Sequence, residues 1–340
     1  MFSFKRIASI FLILVVMGAI IACATVDSTP QVEQEEDSDN LIVVGFSQPG
    51  AESAWRVALT DSVRESFTEE RGYKLIYKDG QSKQDNQIRD IRTFIQQGVD
   101  YIILSPIVET GWDTVLLEAK QAGIPVIICD RNVVVSNESL YTAFVGSDFK
   151  SEGETAVAYL EDLYFDEDAA GTPVNIVHIQ GTIGSSAQLG RSKALEDGLQ
   201  AHDNWNIIAE DCGEFTKAKS REIMENVLAE INSSEIDVLY CENDEEAFGA
   251  IAAFNEAGIS YGVGSSIAVV SFDGTKNSLE LCRNGQINIV VECNPLQGPY
   301  LYNIVNMLSK GKTVPKITYV DENYFTRDDI SQELLENRKY

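Results

Sequence analysis

The sequence predicts an α/β fold with two similar lobes, each built on a parallel sheet with helices on both faces. From Leu41 onwards, short β-rich apolar runs alternate with helical patterns. The apolar runs are nearly continuous, as in strands that are buried on both faces of a sheet. The pattern also repeats, because residues 41–130 and 175–273 each contain four strands separated by three helices.

Ten segments have the composition expected of strands. They are Leu41–Phe46, Lys74–Tyr77, Tyr101–Leu104, Val126–Cys129, Tyr141–Val145, Asn175–Ile179, Trp205–Ala209, Val238–Tyr240, Ile267–Phe272 and Asn288–Val291. Between them, apolar residues recur at helical spacing, as Ile88, Ile91 and Ile95 do. This spacing places the three side chains on one face of a helix that covers the sheet.

The chain passes between the two repeats near residues 141–148 and again near 292–295, without a low-complexity linker. We therefore assign residues 41–145 and 294–318 to an N-terminal lobe, and residues 146–293 and 319–340 to a C-terminal lobe. Short crossovers of this kind can serve as hinges. A ligand cleft is expected between the lobes.

The N-terminus has the pattern of an export signal. Lys5 and Arg6 precede an uncharged apolar run over residues 7–22, shorter than the roughly 20 residues of a spanning helix. The run leads into Cys23, and its end resembles a bacterial lipoprotein signal, which implies that this cysteine is acylated. We predict a signal peptide over residues 1–22 and an extracytoplasmic, membrane-anchored or periplasmic protein. An ordinary signal peptide that happens to contain a cysteine is the alternative.

The segment from Cys23 to Asn40 is predicted to be a flexible acidic linker, because it has too few apolar residues to form a core. It carries Glu33, Glu35, Glu36, Asp37 and Asp39. Removal of residues 1–22, which hold two basic and no acidic residues, changes the net charge from −27 to −29. A body this acidic repels nucleic acid and anionic headgroups, so no nucleic-acid partner is expected.

The chain contains six cysteines and two histidines. Cys129 and Cys241 end apolar runs and are predicted to be buried in strands. Disulfide pairing stays open for three others, which are Cys212, Cys282 and Cys293. There is no Cys-x-x-Cys pair, and His178 and His202 are predicted to be structural, so neither a metal nor a cofactor is expected.

Polar side chains follow most of the predicted strands, where ligands bind in open α/β sheets. These positions hold Ser47, Gln48, Asp79, Gln81, Asp130, Arg131, Gln180, Asn243, Asp244, Asp273 and Glu292. Carboxylates, amides and guanidinium groups suit a polyhydroxyl ligand, because each hydroxyl both donates and accepts. Trp55 and Phe215 can cover the apolar side of a sugar ring. Helix capping is the alternative role at these turns, although Arg131 is a poor N-cap.

Taken in order over residues 41–340, these motifs resemble those of the type I periplasmic sugar-binding proteins. Asp130-Arg131, Asn243-Asp244 and Asp273-Gly274 are shared with the wider ribose-binding group. Glu52-Ser53 with Trp55-Arg56, and Thr110-Gly111-Trp112, resemble the galactofuranose-binding group. The resemblance implies a monomeric receptor, not an enzyme, that closes on one monosaccharide and delivers it to ABC permease subunits. Galactofuranose or a related aldose is the expected ligand.

The resemblance also implies ligand contacts at particular positions. Polar contacts are expected from Glu52, Arg56, Asp130, Arg131, Arg191, Asn243, Asp273 and Glu292, and ring packing from Trp55 and Phe215. Two departures bear on the preferred sugar. Ribose binders place their arginine two positions before Arg191, where this chain has Leu189, and Glu242 stands where relatives carry a different polar residue.

Three other functions use some of the same residues. Asp130, Asp273 and Glu292 could be the carboxylates of a glycosidase. The Gly-rich turn at residues 181–186 could bind a phosphate, but it lacks the Lys-Ser/Thr of a P-loop. A sugar sensor would present its closed form to a chemotaxis receptor or histidine kinase. Nothing in the sequence separates an importer component from such a sensor.

Overall fold

The computed structural model describes residues 41–164 and 171–340. The predicted signal peptide, Cys23 and the acidic linker lie outside the described residues. The strands are β1 (Ile42–Gln48), β2 (Tyr73–Asp79), β3 (Tyr101–Leu104), β4 (Val126–Asp130), β5 (Ala143–Gly146), β6 (Val174–Gln180), β7 (Trp205–Cys212), β8 (Val238–Cys241), β9 (Ala268–Asp273), β10 (Ile289–Glu292), β11 (Ile317–Tyr319) and β12 (Tyr324–Thr326). The helices are α1 (Ala54–Ser66), α2 (Gln84–Gln97), α3 (Asp113–Gln121), α4 (Phe149–Leu163), α5 (Ser186–Ala201), α6 (Lys217–Glu230), α7 (Asp244–Ala257), α8 (Lys276–Arg283), α9 (Gly298–Ser309) and α10 (Gln332–Asn337).

The described strands form two six-stranded sheets. The first has the order β11-β5-β4-β3-β1-β2, with every neighbouring pair parallel. The second has the order β12-β10-β9-β8-β6-β7 and is parallel except for the edge pair β10–β12. The prediction of two similar α/β lobes with parallel sheets is therefore confirmed.

Apolar side chains fill both faces of each sheet, which explains the continuous apolar runs of the sequence. In the first lobe, Val44 and Phe46 of β1 face a cluster that includes Leu59 of α1. Ile102 of β3 faces the other side, where it packs with Ile91 of α2. Each of these five side chains is fully buried. Burial on both faces fixes the strands in place and sets the position of the turns at their carboxyl ends.

Three crossovers join the lobes. The first follows β5, the second runs from β10 to α9, and the third joins β11 to β12. Helix α9 returns to the first lobe, where Gly298 N donates to Ser62 Oγ at 3.0 Å. Each lobe is thus assembled from segments that are distant in sequence, and the three crossovers are the places where a hinge motion can occur.

Four of the five described cysteines and one of the two histidines are buried. Cys129 and Cys241 are buried in β4 and β8, as predicted, and all five described cysteines are free thiols. His178 is buried within β6, and His202 ends α5, where its ring stacks on Trp205 at 4.7 Å. Among the helices of the described ranges, none has the length and apolar character needed to span a membrane.

Candidate functional site

A small cavity of about 20 Å³ lies between the carboxyl ends of the two sheets. Its walls are formed by Glu52, Ser53, Trp55, Arg56, Asp130, Arg131, Phe149, Ala187, Arg191, Phe215, Asn243, Asp273 and Cys293. Nine of the ten predicted ligand-contact residues are in this set. A cavity of this volume holds about one water molecule, so the two lobes lie close together around these side chains.

The first-lobe wall is organised around Arg56 of α1. Its Nη1 donates to Asp130 Oδ2 at 2.5 Å and its Nε donates to Glu52 Oε1 at 3.2 Å. Ser105 Oγ also donates to Asp130 Oδ2, at 3.1 Å. Burial alone lowers the pKa of Arg56, but the charges of Asp130 and Glu52 outweigh it and raise that pKa. Arg56 therefore stays charged and holds both carboxylates in fixed positions.

Glu52 retains one acceptor that a ligand can use. Its Oε2 is buried and has no hydrogen-bond partner within the described parts of the chain. Burial raises the pKa of Glu52, but the charges of Arg56 and Arg131 outweigh it and leave that pKa lowered. An ionised carboxylate with a free oxygen at the cavity wall can accept a hydrogen bond from a sugar hydroxyl.

Arg131 is held more loosely than Arg56. Its Nη1 donates to the Ile107 carbonyl at 3.3 Å, and its Nε lies 4.0 Å from Asp130 Oδ2. The guanidinium carbon lies 5.0 Å from the ring centroid of Phe215, which belongs to the second lobe. Burial, followed by the charge of Arg56, lowers the pKa of Arg131 to about 10. The side chain is charged at neutral pH and has donors to spare for a ligand.

Arg191 of α5 organises the second-lobe wall. Its Nε and Nη2 lie 2.8 and 2.7 Å from Glu152 Oε2, and its Nη1 donates to the Glu242 carbonyl. The Nη2 atom also lies 3.8 Å from Asp273 Oδ1. Burial raises the pKa of Asp273 well above its usual range, and Arg191 offsets this only in part. The Asp273 carboxyl group at the cavity wall is therefore suited to a hydrogen bond with a ligand hydroxyl.

Three cavity residues have an uncommon backbone conformation. Asp130, Phe215 and Asp273 have φ values of +62°, +59° and +100°. Such conformations cost about 1 kcal/mol or more for residues other than glycine, and they concentrate at ligand sites. Gly181 makes room for Phe215, because a Cβ at residue 181 would lie 2.0 Å from Phe215 Cζ. The backbone is thus arranged to point these side chains at the cavity.

Glu292 is the predicted residue that the structure places elsewhere. Its carboxylate accepts hydrogen bonds from Asn323 N at 3.0 Å, from Tyr340 Oη at 2.6 Å and from Arg338. The next residue, Cys293, lines the cavity instead. The assignment of Glu292 to the ligand site therefore does not match its position in the fold.

Four cavity residues were not predicted, namely Ser53, Phe149, Ala187 and Cys293. Ser53 is the N-cap of α1, and its Oγ accepts from Arg56 N at 3.1 Å. Asn243 has both of the roles considered for it, since it caps α7 through Glu246 N and also lines the cavity. Phe149 directly follows the first crossover. That position is the one signal in the sequence that could have identified it as a cavity residue.

Comparison with known proteins places the chain among binding proteins for small solutes. Residues 44–313 match the sequence model of the periplasmic binding protein domain. The galactofuranose-binding protein YtfQ of Escherichia coli is 37% identical over 299 residues, which cover 88% of this chain and 92% of that protein.

Two solved structures are also similar. A protein from Mycobacterium smegmatis in complex with β-D-fucofuranose is 38% identical, with a TM-score of 0.79 over 84% of this chain and 92% of that chain. The binding component of the arabinose ABC transporter from Shewanella sp. ANA-3, bound to α- and β-L-arabinofuranose, is 38% identical. Its TM-score is 0.79 over 87% of this chain and 95% of that chain.

Proposed function

This chain belongs to the periplasmic binding protein family, and from that premise we propose that it is the substrate-binding component of an ABC importer for a furanose sugar. It is an extracytoplasmic sugar-binding protein of the ribose and galactofuranose type rather than an enzyme. The observation that carries the proposal is the cavity between the lobes, where three arginines, three carboxyl groups and three aromatic side chains converge. That arrangement suits a ring with several hydroxyl groups and one apolar side.

The furanose form is supported by what the similar proteins bind. The names of the three relatives above refer to galactofuranose, β-D-fucofuranose and L-arabinofuranose. The chain is 37–38% identical to all three. We infer that galactofuranose or a related aldose in its five-membered ring form is the ligand.

Hydrogen bonds that already join the two lobes favour closure on a ligand. Glu109 N donates to the Gly184 carbonyl at 2.9 Å, and Asn132 N donates to Ser186 Oγ at 2.8 Å. A sugar held between Arg131 and Asp273 adds further bridging contacts, so it shifts the population towards the closed form. The closed form then docks on the permease, and acylated Cys23 keeps the protein near that partner.

Calorimetric titration tests the sugar and its ring form together. The protein is the mature chain from residue 23 with Cys23→Ser, and the ligands are methyl β-D-galactofuranoside, L-arabinose, ribose, glucose and xylose. Methyl β-D-galactopyranoside is the matched control, because its ring cannot convert to the furanose. We expect one furanose-forming sugar to bind with a Kd of about micromolar or tighter, and the locked pyranoside not to bind.

Other outcomes would change the proposal in distinct ways. Binding of the pyranoside with equal affinity would overturn the furanose assignment, and binding of no sugar would overturn the ligand class. Recovery of a hydrolysed glycoside would indicate a glycosidase. Genes for a permease and an ATPase beside the gene for this chain support an importer, whereas a receptor or histidine kinase gene there would support a sugar sensor.

A further inference from the structure

A single carboxyl group, that of Glu322, connects all three crossovers. Glu322 lies in the third crossover, between β11 and β12. Its Oε1 accepts from Ser147 Oγ of the first crossover at 2.5 Å and from Asn294 N of the second at 2.8 Å. Any hinge motion that changes the angle between the crossovers must therefore change the surroundings of this carboxyl group.

A second carboxyl group, that of Glu152 on α4, approaches the same point. One carboxylate oxygen from each glutamate and Cys293 Sγ all lie within 4.8 Å of one another. The side chain of Glu152 is only 3% exposed. Its Oε2 is paired with Arg191, whereas its Oε1 is buried and has no hydrogen-bond partner among the residues described. The hinge thus contains two carboxyl groups and a thiol close together, and one of the carboxyl groups is almost completely buried.

Two buried carboxylates this close, with one guanidinium beside them, carry an excess of negative charge. Such a pair reduces the excess negative charge when one of the two carboxyl groups holds a proton. Burial is the main cause that raises the pKa of Glu322 to about 9 and that of Glu152 to about 7. The charge of Glu152 also raises the pKa of Glu322.

The proton is linked to closure through a residue of the opposite lobe. Asp130, at the end of β4 in the first lobe, contributes to the raised pKa of Glu152 in the second lobe. The contribution of Asp130 is smaller than those of burial and of Arg191, and it acts on Glu152 only when the lobes are together. Closure also reduces the access of water to the junction. If the closed form binds the proton more tightly than the open form, then by thermodynamic linkage proton binding also stabilises the closed form.

We propose that Glu152 and Glu322 form a proton-binding site at the hinge, which takes up a proton as the lobes close on the sugar. This inference rests on the proposed function, because it concerns the affinity for that sugar. The other titratable or charged groups around the pair are Arg191 on α5, Cys293 after β10, Asp130 at the end of β4, Asp148 before α4, Asp273 at the end of β9 and Glu292 on β10.

Calorimetric titration of the intact mature chain with its sugar measures the proton directly. Runs at pH 6, 7, 8 and 9, each in two buffers with different ionisation enthalpies, give the number of protons taken up. We expect net uptake at pH 8, and a Kd that rises about fivefold or more from pH 6 to pH 9. Equal heats in both buffers, with a Kd independent of pH, would overturn the proposal without any variant.

The substitution Glu322→Gln separates titration from hydrogen bonding. The amide oxygen of Gln can still accept from Ser147 and Asn294, but the group no longer takes up a proton. We expect sugar binding at pH 6 to stay within about twofold of the unsubstituted protein, and the uptake at pH 8 to be lost. Glu280→Gln on the exposed surface of α8 is the matched control and should leave the uptake unchanged.

Several results would contradict the site. His178 also has a raised pKa of about 9, and it is untouched by this substitution. If the pH dependence survives in Glu322→Gln, it belongs to His178 or another group. If the protein binds one Zn²⁺ and substitution of Cys293 abolishes this binding, a metal ion rather than a proton neutralises the charge of Glu152 and Glu322. If no sugar binds at any pH, the proposed function fails and this inference falls with it, whereas binding without proton uptake refutes this inference alone.

Discussion

Arg56 and Arg131 line the same cavity wall but are held by different interactions. Arg56 is paired with Asp130 and Glu52, so its removal would leave two buried carboxylates without their partner. Arg131 makes one hydrogen bond, of 3.3 Å, and otherwise faces Phe215 across the cleft. The first arginine therefore supports the wall, and the second is available to the ligand.

For Arg131→Ala we expect sugar affinity to fall at least tenfold while the free energy of unfolding of the ligand-free protein changes little. A charge-assisted contact to a hydroxyl is worth about 1.5–3 kcal/mol, which corresponds to that loss. Calorimetry and urea unfolding measure the two quantities. Arg64→Ala on the exposed side of α1 is the control, and wild-type affinity in Arg131→Ala would remove Arg131 from the site.

The end of β10 shows why single positions in the site could not all be predicted. Successive side chains of a strand point to opposite faces, and at a strand end the sequence does not show whether one or both of two adjacent residues reach the cavity. The polar character of Glu292 favoured it over Cys293, yet the cavity is lined by Cys293. Glu292 is instead neutralised by Arg338, more than 40 residues later in the chain. That long-range ion pair has no local signal in the sequence.

At the scale of elements, a buried charge cluster joins three strands beneath the second-lobe wall. His178 of β6 lies 2.9 Å from Glu210 of β7 and 3.1 Å from Glu242, which follows β8. The Glu242 carboxylate also accepts from Gly181 N at 2.7 Å, and its carbonyl accepts from Arg191. The cluster therefore fixes both the Gly181 turn and the arginine of the cavity.

The charge on His178 makes stability depend on pH. Burial lowers the pKa of His178, but its hydrogen bonds to Glu210 and Glu242 outweigh this and raise it to about 9, against 6.5 in the unfolded chain. The contribution to stability, at most about 3 kcal/mol, is present in full below pH 6.5 and is lost as the pH rises through about 9.

Urea unfolding of the wild type and of His178→Gln, from pH 6 to pH 10, checks this dependence. We expect a large difference in unfolding free energy at pH 6 that shrinks towards pH 10. The Glu152–Glu322 pair is common to both proteins, so its effect cancels in the difference. His202→Gln is the control for loss of an imidazole, and a difference that stays constant across the range would show that His178 is not charged in the folded protein.

The ten predicted strands are all present, because apolar runs between turns are a strong local signal. Their ends differ by at most three residues: Tyr101–Leu104 has the predicted bounds, whereas the predicted Trp205–Ala209 is Trp205–Cys212 in the structure. The strands β11 and β12 were not predicted. Each has only three residues and lies at a sheet edge, and two of the three residues of β11 are exposed. Such strands form because a sheet edge is available for pairing. The periodicity of the sequence gives no information about that edge.

At the scale of the whole molecule, location depends on residues outside the described ranges. The prediction is that acylated Cys23 tethers the two-lobed body through an acidic linker to the outer side of the cell membrane. We expect Cys23→Ser to release the protein from the membrane fraction while sugar affinity is unchanged, because the cavity is built from residues 52–293. Fractionation followed by immunoblotting checks this, with Cys212→Ser as the control. Continued membrane association of Cys23→Ser would refute the anchor.

The interleaved order of the chain also has a consequence for its synthesis. The first sheet needs β11, which leaves the ribosome long after β5, and at rates of about 5–20 residues per second this is a delay of roughly ten seconds or more. Until then neither lobe is complete, because the second sheet likewise needs β12. The crossovers that permit hinge motion in the mature protein thus also postpone the completion of both sheets until nearly the whole chain has been synthesised.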